Sequence, residues 1–116
     1  MTASALISGA AVAADGAPPL IVDVREHDEF AALRVAGAVL LPLSQFADTF
    51  ERLPHDRPLL IMCAAGSRSL VAGDHLVRHG YPDVTNVVGG ITAWRAAGLP
   101  VVSGLPAPGE GDLPSV

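Results

Sequence analysis

The segment LLIMCAAGSRS, from Leu59 to Ser69, decides the fold because it joins an apolar strand to a helix through a loop of small residues. Its first four residues form a continuous apolar run, which is typical of a strand buried on both faces of a parallel sheet. Cys63 follows directly, and Ser69 begins a predicted helix that ends at His79. A strand, a tight turn and a helix in this order predict an α/β domain.

The same alternation of apolar runs and helical patterns continues on both sides of this segment. We predict strands at 20–24, 39–41, 59–62 and 84–88, and we expect 99–102 to pack back on the domain. We predict helices at 9–14, 26–33, 44–53, 69–79 and 91–97, with Ser8 and Ser44 as N-caps of the first and third. This order predicts a small, mainly parallel sheet of about five strands with helices on both faces.

Composition and charge limit the classes of function. The 116 residues suffice for one domain with one core, and half of them are hydrophobic. The net charge is −5, and the seven cationic residues are all arginines that form no basic cluster, which argues against nucleic acid and membrane surfaces as partners. No apolar run approaches the roughly 20 residues of a membrane span. An anionic substrate would therefore be held locally, by backbone amides and one or two arginines.

The single cysteine and the two ends of the chain set further expectations. One cysteine excludes an internal disulfide and an internal resolving thiol, and the cytoplasm is the expected compartment for it. Residues 1–14 lack the basic start of a signal peptide, so we expect none. From Gly104 onward the chain is rich in Pro and Gly, which predicts a single domain over residues 1–103 and a disordered tail over 104–116.

The loop after Cys63 has the composition that activates a thiol. The small residues Ala64, Ala65, Gly66 and Ser67 let backbone amides converge on one point, together with the N-terminus of the following helix. That arrangement favours negative charge, so it lowers the pKa of a thiol and holds an anionic ligand. The alternative is an ordinary buried cysteine at the end of a core strand.

Three charged residues could serve this loop. Arg68 would place a fixed, bidentate cation beside it, and the alternatives are a solvated arginine or a structural ion pair with Asp23 or another acid. Asp23 ends the first predicted strand, so it can face the same crevice as Cys63 beyond the carboxyl ends of the strands. Asp23 and Arg25 would form an ion pair or capping network that holds the loop, unless they are only a helix cap and a surface arginine.

Other residues have plainer interpretations. His75 and His79 have a spacing that can chelate a metal, but no further ligand is apparent, so we expect solvated helix residues and no metal or cofactor. We expect Trp94 to pack the last helix onto the sheet, and Gly89 and Gly90 to allow a turn and a close approach of strand and helix.

Four segments in the expected order resemble the rhodanese family, and they lie between Ser8 and Val102. They are Asp23-Val24-Arg25-Glu26 with Glu29-Phe30, then Val35 to Val39, Cys63 to Ser69, and Val88 to Trp94 followed by Ala97 to Val101. The second segment departs from the pattern, because the family commonly has Gly-His-Ile-Pro-Gly-Ala where this chain has Leu33 to Ala38. Arg34 and Ala36 thus replace the usual His and Pro, and we expect the replaced His to be structural.

The resemblance implies a rhodanese-like fold and sulfur transfer. A small anionic donor such as thiosulfate would give its outer sulfur to the Cys63 thiolate, and a thiol, a protein thiol or cyanide would remove it from the resulting persulfide. The resemblance implies that Arg68 stabilises the negative charge that develops during the reaction. It also implies that Asp23 and Arg25 hold the loop in place. The residues that would bind the substrate are Ala64, Ala65, Gly66, Ser67 and Ser69.

Two other functions remain open. Cysteine-dependent phosphatases and arsenate reductases use a related cradle but typically place five residues between Cys and Arg, where this chain has four. A non-enzymatic persulfide carrier, or a regulatory module that docks on a partner, would also keep Cys63 and Arg68.

Overall fold

The computed structural model of the chain describes residues 18–65 and 67–113. The predicted helix at 9–14, its N-cap Ser8 and the loop residue Gly66 lie outside these ranges. The strands are β1 (Leu20–Asp23), β2 (Val39–Leu40), β3 (Leu59–Met62) and β4 (Val84–Asn86). The helices are α1 (His27–Ala32), α2 (Phe46–Thr49), α3 (Ser67–Arg78) and α4 (Gly90–Ala96), and short 3-10 turns at Leu43–Gln45 and Phe50–Arg52 flank α2.

The strands form one parallel sheet in the order β2-β1-β3-β4. Val22 lies in the middle of the register, opposite Val39 on one side and Ile61 on the other. The predicted α/β fold with a small parallel sheet is therefore confirmed, with four strands in the sheet among the described residues rather than about five. The segment 99–102 does pack back on the domain, where Val102 and Arg34 form an isolated antiparallel bridge.

Side chains of consecutive strand residues bury two apolar clusters, one on each face of the sheet. The first cluster packs α2 and α3 against the sheet and includes Val22, Val39, Phe46, Phe50, Ile61, Cys63, Ala72 and Leu76. The second packs α1 and α4 on the opposite face and includes Phe30, Leu60, Met62, Val87, Ile91 and Trp94. Burial of both faces explains why β3 is an unbroken apolar run, and it places Trp94 between the last helix and the sheet, as predicted.

Two helices differ from their predicted bounds by two residues or more at one end or both, and the other two differ by one residue at each end. The helix predicted over 44–53 is divided into two 3-10 turns around the short α2, and Ser44 lies inside the first turn instead of capping it. Pro42 precedes that turn with φ of −56°, so the turn begins before Ser44, whose hydroxyl donates to the Glu26 carboxylate at 2.8 Å. Helix α3 begins two residues earlier than predicted, which places Arg68 and Ser69 in its first turn.

Residues 104–113, which the sequence predicts to be disordered, lie against the domain. Arg34 is only 3% exposed, and its guanidinium pairs with the Glu110 carboxylate and donates to the Gly104 carbonyl at 2.6 Å. The backbone amide of Leu40, in the edge strand β2, donates to the Gly111 carbonyl at 2.8 Å. The arginine that replaces the usual histidine of the family pattern thus anchors this segment, which covers an edge of the sheet.

A chain that ends at Ser103 should unfold at a lower temperature than the full chain. Removal of the segment leaves the buried Arg34 guanidinium without its carboxylate and the Leu40 amide without its acceptor. We expect the Tm, measured by circular dichroism, to fall by about 5 °C or more. A chain that ends at Leu113 is the matched control and should keep the Tm of the full chain. Equal Tm values for all three chains would contradict a structural role for this segment.

Candidate active site

Cys63 and Asp23 both lie at the carboxyl edge of the sheet. Asp23 ends β1 and is paired in register with Met62, the residue before Cys63. Both side chains are completely buried, and Cys63 belongs to the apolar cluster under α3. Ala65, in the loop that follows, and Ser67, the first residue of α3, are exposed. The structure thus shows Cys63 packed as a core residue directly before the loop, and the activation of its thiol by that loop stays a prediction.

Helix α4 fixes the start of this loop through backbone hydrogen bonds. The amides of Ile91 and Thr92 donate to the carbonyls of Cys63 and Ala64, at 2.8 and 3.1 Å. Gly90 makes this approach possible, since a Cβ built on it would lie 2.1 Å from the Cys63 carbonyl oxygen. The close approach predicted for the glycine pair is confirmed. Hydrogen bonds from α4 therefore hold the backbone carbonyls of Cys63 and Ala64 in place.

Ser69 connects the thiol to a residue that sequence reasoning missed. The Ser69 Oγ lies 3.4 Å from the Cys63 Sγ, and the buried hydroxyl also donates to the Asn86 Oδ1. Asn86 ends β4, the strand beside β3. The one signal for it in the sequence is an amide side chain within the predicted strand 84–88, which otherwise contains valines and a threonine.

Arg68 forms a bidentate ion pair with Glu29 of α1, at 2.6 and 2.8 Å. The hydrogen bond from Arg68 lowers the pKa of the Glu29 carboxyl to about 2. The same bond, followed by weaker attraction from Cys63 and Asp23, raises the pKa of Arg68 above its ordinary value. Of the alternatives for Arg68, the geometry shows the structural ion pair, with Glu29 rather than with Asp23. Glu29 was missed as a site residue, although it stands three residues after Glu26, as in a capping box.

Asp23 and Arg25 form a buried ion pair with a nitrogen–oxygen distance of 2.8 Å. Arg25 also donates to the Glu29 and Leu33 carbonyls of α1 and its C-terminal end, at 3.3 and 2.6 Å. Among the described residues, the side-chain contacts of this pair thus reach α1 rather than the loop. They hold the helix that presents Glu29 to Arg68.

Neither a metal site nor a membrane segment is present in the described part of the chain. The rings of His75 and His79 stack on each other with centroids 4.2 Å apart. Within 18–65 and 67–113, no three His, Cys, Asp or Glu side chains converge in a way that could hold a metal ion. None of the helices in these ranges has both the length and the apolar surface needed to cross a bilayer.

The Glu29–Arg68 pair makes stability depend on pH in the acid range. The pKa of Glu29 is about 2 in the folded chain against an ordinary 4.5, so the pair stabilises the fold fully above pH 4.5 and is lost as pH falls through 2. Both side chains are about one-third exposed, so we expect Glu29→Gln to cost about 1 kcal/mol at pH 7. In urea titrations this cost should shrink steadily between pH 4.5 and 2.

The control for this prediction is Asp74→Asn, which removes the exposed ion pair between Asp74 and Arg78 on α3. We expect it to change the urea midpoint little at any pH, because solvent screens such pairs. A Glu29→Gln cost that did not depend on pH over this range would contradict the assignment.

Comparison with known proteins agrees with this geometry. A family model described as a rhodanese-like domain matches residues 8–97. The chain is 38% identical over 90 residues to a sulfurtransferase of Allochromatium vinosum, covering 78% of this chain and 84% of the relative. It is 30% identical over 77 residues to the thiosulfate sulfurtransferase GlpE of Coxiella burnetii, covering 66% and 72%. A rhodanese-related protein from Thermoplasma volcanium has a similar structure, with a TM-score of 0.77, 29% identity and coverage of 88% and 95%.

Proposed function

Because this chain belongs to the rhodanese-like domain family, we propose that it is a sulfurtransferase that carries sulfur as a persulfide on Cys63. The observation that carries the proposal is the position of this one cysteine, at the end of β3 and directly before a loop of small residues that leads into α3. The amides in the first turn of α3 have no partners within the helix, and the helix dipole adds positive potential there. An anionic sulfur is stabilised in such a place.

In the first half of the reaction the Cys63 thiolate attacks the outer sulfur of the donor. A new S–S bond forms on Cys63, the S–S bond of the donor breaks, and its electron pair leaves with the remaining fragment, which is sulfite when the donor is thiosulfate. Cys63 then carries a persulfide. This step requires that the donor reach the buried sulfur past the small side chains of Ala64, Ala65 and Ser67.

In the second half an acceptor thiolate, or cyanide, attacks the outer sulfur of the persulfide. The acceptor gains the sulfur, and the electron pair of the broken S–S bond returns to Cys63 as thiolate. Because the chain holds no second cysteine, its persulfide has no resolving thiol of its own and waits for an external thiol or protein thiol. We place this reaction in the cytoplasm, where such a thiol stays reduced.

Arg68 has two tasks in this proposal. Its ion pair with Glu29 fixes the guanidinium at the first turn of α3, and its charge favours the anionic forms of Cys63 and of the donor. Asp23 and Arg25 act further away, by holding α1 so that Glu29 keeps Arg68 in place. The thiosulfate sulfurtransferase of Coxiella burnetii supports thiosulfate as the donor to try first.

Steady-state kinetics of thiocyanate formation from thiosulfate and cyanide test the proposed function. Two half-reactions joined by a covalent intermediate predict parallel lines in double-reciprocal plots. Hydrolysis of p-nitrophenyl phosphate is the comparison, and we expect none above background. Intersecting lines, or phosphate release faster than thiocyanate formation, would contradict the proposal. A persulfide that forms without turnover would point instead to the carrier function.

A further inference from the structure

The contacts of Ser69 place it between two groups that can compete for its hydroxyl proton. Ser69 lies in the first turn of α3, is completely buried, and touches the Cys63 Sγ on one side and the Asn86 Oδ1 on the other. These three residues belong to β3 or its end, α3 and β4, and the helix packs on both strands. The geometry of the chain Cys63–Ser69–Asn86 is therefore set by rigid elements.

The direction of these hydrogen bonds has a chemical consequence. A serine hydroxyl has one proton and can accept through its lone pairs. Here Ser69 donates that proton to the Asn86 carbonyl oxygen, so towards Cys63 it acts as an acceptor for the S–H group. This arrangement stabilises the thiol. A thiolate has no proton to offer, so the Ser69 hydroxyl stabilises it only by turning from Asn86 to the sulfur, and the thiol proton passes to solvent when Cys63 ionises.

We propose that Asn86 is a positioning residue that controls the ionisation of Cys63 by competing with the sulfur for the hydroxyl proton of Ser69. The proposal rests on the sulfurtransferase function proposed above, in which the thiolate is the reactive form. It assigns opposite effects to two neighbours in one chain of hydrogen bonds. Ser69 supplies one hydrogen-bond donor to the thiolate, whereas Asn86 holds that donor in the arrangement that favours the thiol.

Other charges near the sulfur do not change in this comparison. Arg68 of α3 favours the thiolate, while Glu29 of α1 and Asp23 at the end of β1 partly offset that charge. Arg25 neutralises Asp23 in turn. Substitution of Ser69 or Asn86 by alanine leaves these four charged groups in place. A difference between the two variants in the pH of Cys63 ionisation therefore reports the effects of the Ser69 hydroxyl and the Asn86 amide.

The ultraviolet absorbance of the thiolate, followed against pH, measures this ionisation directly because the chain has only one cysteine. We expect Asn86→Ala to move the midpoint of the titration to lower pH, with about a threefold or larger rise in the thiolate ratio. We expect Ser69→Ala to move it to higher pH by a similar factor. Cys63→Ser is the blank, and circular dichroism checks that each variant is folded.

Shifts of the two alanine variants in the same direction, or no shift in either, would overturn the proposal, since a merely structural role predicts no opposition between them. Asn86→Asp provides a second test that keeps the side-chain shape. Its carboxylate holds the Ser69 proton more strongly and adds negative charge, so the midpoint must move to higher pH. An unchanged or lower midpoint would also overturn the proposal. The titration needs no sulfur donor, so its outcome is independent of whether sulfur transfer itself is confirmed.

Discussion

Cys63→Ser should abolish sulfur transfer, with a loss of about a thousandfold or more in thiosulfate turnover. Only a thiolate can both attack the outer sulfur of the donor and hold it as a persulfide, and the chain has no other cysteine to replace Cys63. The substitution is nearly isosteric, and the new hydroxyl remains beside Ser69. We therefore expect the variant to fold, so the loss of turnover reports chemistry rather than stability.

Met62→Leu is the matched control for this substitution. Met62 is the preceding residue, is equally buried and points to the opposite face of the sheet. A change from methionine to leucine conserves volume and costs less than about 1.5 kcal/mol. We expect this variant to keep its turnover. Thiocyanate formation by Cys63→Ser above the rate of the blank would contradict the role given to Cys63.

Gly90→Ala should have the largest effect on stability among single substitutions near the site. The added Cβ would lie 2.1 Å from the Cys63 carbonyl oxygen and 2.8 Å from that of Ala64, and φ at this position is +56°. Both oxygens belong to backbone that α4 holds by hydrogen bonds, so neither can move without loss of the loop geometry. We expect a cost of about 3–5 kcal/mol in urea unfolding, together with loss of turnover.

Gly98→Ala separates the steric clash from backbone strain. Gly98 also has a positive φ, +79°, but a Cβ at this position meets no atom of the described residues within 4 Å. We expect only the strain of a left-handed alanine, about 1–2 kcal/mol, and normal turnover per folded molecule. If the two glycine variants lost equal stability, the contact of α4 with the loop would not be the reason for Gly90.

The fold could be predicted because its signals are local. An apolar run such as 59–62 has no polar face, which is characteristic of a strand covered on both sides, and the helices between such runs impose parallel pairing. The bounds of α2 could not be predicted in the same way. Ser44 has the residue type of an N-cap, but the backbone set by Pro42 starts a 3-10 turn before it, and the serine hydroxyl binds Glu26 of another element.

The candidate site was predictable where its residues are consecutive or where they end neighbouring strands. Cys63 and its loop follow from one strand–loop–helix segment, and Asp23 follows from the rule that strand ends share an edge. Glu29 and Asn86 reach the site from other elements, through contacts that span 39 and 17 positions in the chain. Side-chain pairs of this kind depend on helix packing and leave no periodic signal in the sequence.

The C-terminal segment illustrates the same limit. Its Pro and Gly content is typical of a disordered tail, and no pattern within it indicates a partner. Arg34 supplies that partner, because a buried guanidinium requires a carboxylate, and Glu110 lies 76 positions away in the sequence.

The mass of the intact protein after treatment with thiosulfate shows whether Cys63 takes up sulfur. We expect a gain of about 32 Da, one sulfur atom, that cyanide or a thiol removes and that Cys63→Ser does not acquire. A chain that gains no mass while it remains folded, or a gain that persists in Cys63→Ser, would contradict the claim that Cys63 carries the transferred sulfur.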